Sequence, residues 1–136
     1  MPSITGIAHV ELTVRDLDAS EAWYVKVLGM RRVWEGDDAK YGITARALLE
    51  PRSRVVLGLT RHAAGSNQTF DVTRPGLDHL SFAVADRDEL QSWERHLAEL
   101  GADPSPIDEW SHGASLTVRD PDGIALEFYV LGAAPA

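Results

Sequence analysis

Residues Leu77–Val84 read Leu-Asp-His-Leu-Ser-Phe-Ala-Val and repeat an earlier stretch, Ile7–Val14, which reads Ile-Ala-His-Val-Glu-Leu-Thr-Val. A shift of 70 positions aligns His79 with His9 and extends through seven matched positions. The other matches are Leu80 with Val10, Phe82 with Leu12, Val84 with Val14, Asp86 with Asp16, Asp88 with Asp18 and Trp93 with Trp23. So many matches in one register indicate a single unit written twice, with a histidine at the start of each copy.

Composition limits the classes of protein that this chain can belong to. Its 136 residues suit one compact domain, and 44% hydrophobic with 25% charged residues is typical of a globular protein. A net charge of −8 argues against nucleic-acid and anionic-lipid partners. No apolar run of about 20 residues and no signal peptide is visible, so a cytoplasmic protein is expected. With no cysteine, any metal must bind nitrogen and oxygen.

Hydrophobic periodicity predicts the same order of elements in both copies. Strict alternation over 7–14 predicts a strand, and Asp18 with Glu21 resembles a capping box that begins a helix ending at Gly29. Three further strands are predicted at Met30–Trp34, Ile43–Leu49 and Arg54–Thr60, with turns at 35–38 and 50–53.

The second copy begins with a predicted strand over 77–84, followed by a helix capped by Asp86 or Asp88 and closed by Gly101. Strands follow near Ile107–Trp110, Ala114–Arg119 and Ile124–Val130, with a tight turn at 120–123. The sequence therefore predicts an α+β fold in which two βαβββ modules, 4–62 and 77–131, are joined by a linker over 63–76. Residues 1–136 would form one domain.

The polar strand faces point to a candidate metal site. Each apolar face must meet its own helix, so the opposite faces would line a trough in a cupped mixed sheet. His9, His79 and Glu127 would all face this trough, and Gly58 is the first module's counterpart of Glu127. A strand histidine is more often a hydrogen-bonded core residue and a strand glutamate more often solvated. For all three residues, however, the repeat register and the alternation of side chains along the strand predict the same face, and this agreement favours a metal site.

Two imidazoles and one carboxylate with open positions suit Fe²⁺, and Mn²⁺, Co²⁺, Ni²⁺ or Zn²⁺ are alternatives. Candidate proton-handling residues are Glu11, His112 and Tyr129. Candidate substrate-binding residues are Trp34, Arg46, Gly58, His62, Trp110 and Ser115. His96, beside Glu94 and Arg95 within a helix, is expected on the surface.

At these residues the sequence resembles the vicinal oxygen chelate superfamily, which includes glyoxalase I, fosfomycin-resistance thiol transferases, extradiol dioxygenases, methylmalonyl-CoA epimerase and bleomycin-resistance proteins. The matching elements are Ile-Ala-His9-Val, Trp23-Tyr24 with Leu28-Gly29, Leu-Asp-His79-Leu-Ser-Phe, and Asp120-Pro-Asp-Gly-Ile-Ala-Leu-Glu127. The resemblance implies paired modules, frequently completed by dimerisation, and His9, His79 and Glu127 as metal ligands.

The chain departs from parts of that pattern. Glyoxalase I and the epimerase use a fourth ligand where this chain has Gly58. The segment 110–115 contains no lysine to hold a phosphonate, and the acid–base Tyr and His of the larger dioxygenases have no clear counterpart.

Several functions are compatible with these features. The preferred hypothesis is a metal-dependent enzyme acting on a small substrate with two neighbouring oxygens, narrowly favoured as an iron-dependent ring-cleaving dioxygenase. A glyoxalase-like lyase or isomerase, or a thiol transferase, is the second. A metal-free drug- or metabolite-binding protein is the third, and a structural or regulatory role is the last. Exposed strand edges favour a homodimer.

Overall fold

The structure is a computed structural model that describes residues 1–132. The chain divides into two compact units, of which the first comprises Met1–Gln68 and the second begins at Thr69. The division falls within the linker predicted over 63–76. Among the described residues, neither helix is long and apolar enough to cross a bilayer.

The first unit is a four-stranded mixed sheet with one helix. Strand β1 pairs in parallel with β4, and β4, β3 and β2 continue the sheet in antiparallel order. Its elements are β1 (Val10–Thr13), α1 (Leu17–Leu28), β2 (Arg31–Asp38), β3 (Ile43–Leu49) and β4 (Val56–His62). Helix α1 covers the sheet face that carries Leu57 and Leu59, both fully buried, and Tyr24 of the helix is fully buried as well.

The second unit repeats this topology. Strand β5 pairs in parallel with β8, and β8, β7 and β6 follow in antiparallel order. Its elements are β5 (Leu80–Ala83), α2 (Arg87–Glu99), β6 (Asp108–Trp110), β7 (Gly113–Arg119) and β8 (Ala125–Leu131). Trp93 of α2 stacks on Phe128 of β8 with ring centroids 4.2 Å apart, which fixes the face that the helix covers. The predicted α+β class and the two βαβββ modules are confirmed.

Most element boundaries agree with the prediction to within a few residues, and β3 agrees completely. The predicted turn at 35–38 is wrong, because these residues continue β2 and pair with β3 from Ile43 to Arg46. Gly36 and the two aspartates that follow it are typical of turns. Here, however, strand pairing and the Thr44 hydroxyl, which donates to Asp37 over 2.6 Å, keep the segment extended.

The cap of the first helix also differs from the prediction. Asp16, rather than Asp18, is the N-cap, and its carboxylate accepts hydrogen bonds from the backbone of Asp18 and Ala19. Gly29 ends the helix in the left-handed region at φ 65°, as predicted. Asp86 caps α2, which resolves the choice between Asp86 and Asp88.

Candidate metal and substrate site

In the second unit, His79 and Glu127 lie side by side on the sheet face that points away from α2. His79 Nε2 is 3.8 Å from Glu127 Oε1. The strand register places Ser81 directly beside Glu127, and the Ser81 hydroxyl donates to Glu127 Oε1 over 2.7 Å. The Glu127 side chain is only 19% exposed and that of His79 is 45% exposed. The pair is therefore held in place while remaining open to a ligand.

Asp78 orients the His79 imidazole. Its Oδ1 lies 2.6 Å from His79 Nδ1, so the proton of the neutral ring belongs on Nδ1 and the lone pair on Nε2. A carboxylate behind a histidine in this way is typical of metal-ligating histidines, because it fixes the tautomer and the orientation of the ring. The nitrogen left free is the one beside Glu127.

In the first unit, His9 also has a carboxylate neighbour, but this neighbour is Glu11 on the first strand and not a residue of the last strand. His9 Nε2 is 4.0 Å from Glu11 Oε2, and the Thr60 hydroxyl donates a short hydrogen bond to Glu11 Oε1. Glu11 is paired in register with Gly58. A Cβ atom added to Gly58 would overlap the Glu11 carboxylate, so this side chain covers the glycine.

Each unit thus presents one imidazole beside one carboxylate. Within residues 1–132, no group of three or more His, Asp or Glu side chains that could hold a metal ion is already assembled. The donor chemistry nevertheless suits a divalent cation of intermediate hardness, since imidazole nitrogen and carboxylate oxygen are the ligands that such ions share.

Four further predicted residues cluster near the outer end of the second sheet. The Tyr129 hydroxyl donates to the His112 backbone oxygen over 3.0 Å, and the two rings are 6.0 Å apart between centroids. The Trp110 indole N–H donates to the Ser115 hydroxyl over 2.9 Å. The strand register places Tyr129 and Ser115 on the same face as Glu127, because Ser115 pairs with Tyr129 and Thr117 pairs with Glu127.

The remaining predicted residues lie in the first unit and do not all share a face. Trp34 and His62 lie on the face of Gly58, because Trp34 pairs with Ala47, which in turn pairs with Gly58. The Trp34 ring lies over Gly36, and its side chain remains largely exposed.

Arg46 lies on the opposite face, towards α1. Its guanidinium contacts Asp18 at 2.7 Å, Glu21 at 2.9 Å and Glu35 at 3.1 Å. The hydrogen bond that Arg46 donates to the Asp18 carboxylate is the main cause that raises the pKa of Arg46 above its usual value. Arg46 thus ties helix to sheet and is not brought together with His9 and Glu11.

Sequence reasoning assigned no role to Asp78, Thr60 or Ser81, which hold the site side chains in place. Asp78 precedes His79 directly, and this adjacency was a usable signal. Thr60 and Ser81 act across strand pairs, and only the register shows their partners.

Comparisons with known proteins identify the family to which this chain belongs. The family model described as the glyoxalase/bleomycin resistance protein/dioxygenase superfamily matches residues 6–128. The chain belongs to this superfamily. It is similar to a glyoxylase/bleomycin resistance protein/dioxygenase domain from Frankia sp. EAN1pec, with 38% identity and a TM-score of 0.86 over 96% of this chain and 100% of that one.

More distant structures share the fold. A fosfomycin resistance protein, FosX, from Listeria monocytogenes, complexed with Mn(II) and sulfate, is 17% identical with a TM-score of 0.67, over 96% of this chain and 95% of that one. An integron cassette protein from the mobile metagenome of a Halifax Harbour sewage outfall is 24% identical with a TM-score of 0.72, over 94% of this chain and 100% of that one. No curated protein matches the chain.

Proposed function

We propose that this protein is a divalent-metal-dependent enzyme acting on a small molecule that binds through two neighbouring oxygens. His9, His79 and Glu127 would hold the metal. The observation that carries the proposal is the oriented pair in the second unit, where Asp78 fixes His79 Nδ1 and Nε2 lies 3.8 Å from Glu127 Oε1. Fe²⁺ is the preferred ion, and Mn²⁺, Zn²⁺, Ni²⁺ and Co²⁺ fit the same donors.

The bound ion would polarise a substrate oxygen and stabilise the negative charge that develops on it. The exposed rings of Trp34 and Trp110 would offer apolar surfaces to a flat substrate. The hydroxyl of Tyr129 and the ring of His112 would be the groups available for proton transfer beside Glu127. Gly58, His62 and Ser115 would border the substrate, whereas the acidic contacts of Arg46 support a structural role for that residue.

The reaction depends on the number of protein ligands. Three ligands leave room for both substrate oxygens and dioxygen, which favours ring-cleaving dioxygenation. A lyase, isomerase or thiol-transferase reaction is the second candidate. It is favoured by Glu11, because a carboxylate beside His9 could abstract a proton or complete a four-ligand site. The Frankia relative, a domain of the same superfamily, is compatible with both.

Metal content tests the proposal. The protein is purified without added metal or chelator beside His9→Ala and Glu127→Ala, with His96→Ala on α2 as the matched histidine control. About one metal ion per chain, lost in His9→Ala and Glu127→Ala and kept in His96→Ala, supports the site. Iron directs the next assay to catechols under air, whereas zinc, nickel or manganese directs it to lyase and transferase substrates. A wild type that contains no metal and takes up none on reconstitution overturns the proposal in favour of a drug- or metabolite-binding protein.

We also propose a homodimer in the cytoplasm. Support comes from the sheet edges, since β2 and β6 each end their own sheet and unpaired edges tend to be covered. Light scattering of the protein as it elutes from a size-exclusion column measures its mass. A monomeric mass at all concentrations would overturn the proposed homodimer.

A further inference from the structure

We propose that a cleft on the helix side of the first sheet binds a small organic anion through its carboxylate or phosphate group. The cleft lies at the start of α1 and has a volume of about 320 Å³. This volume is at the low end of the range for small-molecule sites, so the ligand would be small. The polar residues that line the cleft are Arg15, Asp16, Asp18, Thr44, Arg46 and Arg61.

The cleft and the first unit's part of the proposed metal site lie on opposite faces of the same sheet. The strand register pairs Thr44 with Arg61 and Arg46 with Leu59. Leu59 is fully buried on the face that α1 covers, so its paired neighbours also point to the helix side. Glu11 lies on the other face of the sheet. A ligand in the cleft would therefore not contact a metal ion held on that face.

Charge is distributed unevenly along the chain, and the first unit holds the positive part. Residues 1–68 contain nine of the 13 Lys and Arg residues and eight of the 21 Asp and Glu residues. Residues 69–136 contain the other four basic and 13 acidic residues. The first unit thus carries a net charge of +1 and the rest of the chain −9, which together give the −8 of the whole chain. The field of the first unit is therefore the one that an anion could approach.

The acidic groups around the cleft already have donors of their own. Arg46, whose side chain is only 13% exposed, contacts Asp18 Oδ1 at 2.7 Å. The Asp16 carboxylate accepts from two backbone N–H groups of the first turn of α1. The Thr44 hydroxyl donates to Asp37, which lies beside the cleft. These contacts leave the three arginines of the lining against two neutralised aspartates, so the cleft has one positive charge in excess.

Arg61 is the residue that would hold the anion. Its Nε atom donates to the backbone oxygen of Arg15 over 3.2 Å, which holds the guanidinium against the loop between β1 and α1. Within residues 1–132, no ion pair joins Arg61 to a carboxylate, so its Nη1 and Nη2 donors remain for a ligand. A guanidinium presents such donors in one plane, in the spacing of two oxygens of a carboxylate or phosphate. The ligand class follows from this geometry.

Two matched probes test the site. Glycerol 3-phosphate and glycerate share a three-carbon skeleton but carry a phosphate and a carboxylate group, respectively. Each is titrated into the protein with EDTA present, so that no metal ion can hold the anion, and binding is followed by two-dimensional NMR. Arg61→Gln removes the charge and the paired donors, whereas Arg61→Lys keeps only the charge. Arg52→Gln, in the turn at the other end of β3 and β4, controls for the loss of one positive charge.

We expect saturable binding of at least one probe to the wild type, with chemical-shift changes at the backbone amides of residues 15–18 and 61. Arg61→Gln should weaken this binding at least roughly tenfold, because charge-assisted hydrogen bonds are lost. Arg61→Lys should recover only part of the affinity, and Arg52→Gln should leave it unchanged. The probe that binds more tightly identifies the anionic group of the ligand.

Three results would overturn the inference. The first is that neither probe shows saturable binding. The second is that Arg52→Gln weakens binding as much as Arg61→Gln, because a general attraction to positive charge would then explain it. The third is binding that disappears with EDTA and is unchanged in Arg61→Gln, because the metal ion would then hold the anion. The proposed function is tested separately, by metal content in the absence of chelator.

Discussion

In the first unit the carboxylate beside the histidine comes from the first strand, whereas in the second it comes from the last. The histidines differ as well. His79 has Asp78 on its Nδ1 atom, whereas Ala8 occupies the equivalent position before His9 and offers no acceptor side chain. His9 is also the more exposed of the two, at 58% against 45%. The two units thus share strand order and a buried face but differ in their polar contacts. The buried residues of the two units are therefore more alike than the polar residues around their histidines.

The buried faces should respond alike to truncation. Leu57 and Leu126 occupy equivalent positions on β4 and β8, and both are fully buried. We expect Leu57→Ala and Leu126→Ala each to lower the free energy of unfolding by about 3 kcal/mol, because each opens a cavity in a packed core. Urea unfolding followed by circular dichroism measures both. The costs of such truncations in buried cores span about 2 kcal/mol. A larger difference between the two variants would show that the two cores are not equivalent.

The contact between Glu11 and Gly58 should couple these two positions of the first unit. We expect Gly58→Glu alone to lower the free energy of unfolding by no more than about 1 kcal/mol, because the Glu11 carboxylate can turn aside but two like charges then lie opposite each other. The same substitution combined with Glu11→Ser should cost less, because the second negative charge is gone. Thermal unfolding in the absence of metal measures both variants. Equal costs with and without Glu11 would contradict this coupling.

The aspartate behind His79 should make this histidine the stronger imidazole ligand of the proposed metal site. We expect Asp78→Asn to weaken metal affinity about tenfold, because the amide is a poorer acceptor for the Nδ1 proton. Asp88→Asn, in the first turn of α2, removes the same charge away from the site and should leave affinity unchanged. Conversely, Ala8→Asp should strengthen binding by giving His9 the partner that it lacks. Calorimetric titration with Mn²⁺ compares the three variants with the wild type. An Asp78→Asn variant that binds Mn²⁺ as tightly as the wild type would contradict the expected difference between the two histidines.

The helix caps give the smallest contrast. The Asp16 carboxylate accepts from two backbone N–H groups, whereas the Asp86 carboxylate accepts from one, that of Glu89. We expect Asp16→Ala to cost about 1 kcal/mol of unfolding free energy and Asp86→Ala about half of that. Chemical unfolding of both variants measures the difference. A larger loss for Asp86→Ala would show that cap strength does not follow the number of accepted bonds.

The Asp-Pro-Asp-Gly turn shows which local features sequence could predict in full. Asp120 Oδ1 accepts from the backbone of Asp122 and Ile124, and Gly123 adopts φ 82°. Residue type alone determines these interactions, because the donors and acceptors are only two to four positions apart. The segment 35–38 has similar residues and was predicted wrongly. Its conformation is decided by pairing with β3, which short-range propensity does not contain.

The sequence by itself determined the doubled α+β architecture, because the repeat and the alternation of apolar residues fix which strand faces are buried. It also determined the candidate ligands His9, His79 and Glu127 by register and parity, and these remain predictions. Only the tertiary structure decided that Glu11 covers Gly58, that Ser81 and Thr60 hold the carboxylates, and that Arg46 faces α1. Each of these contacts joins residues that are distant in the chain. A strand's alternation indicates which side chains share a face, but the pairing register decides which of them touch.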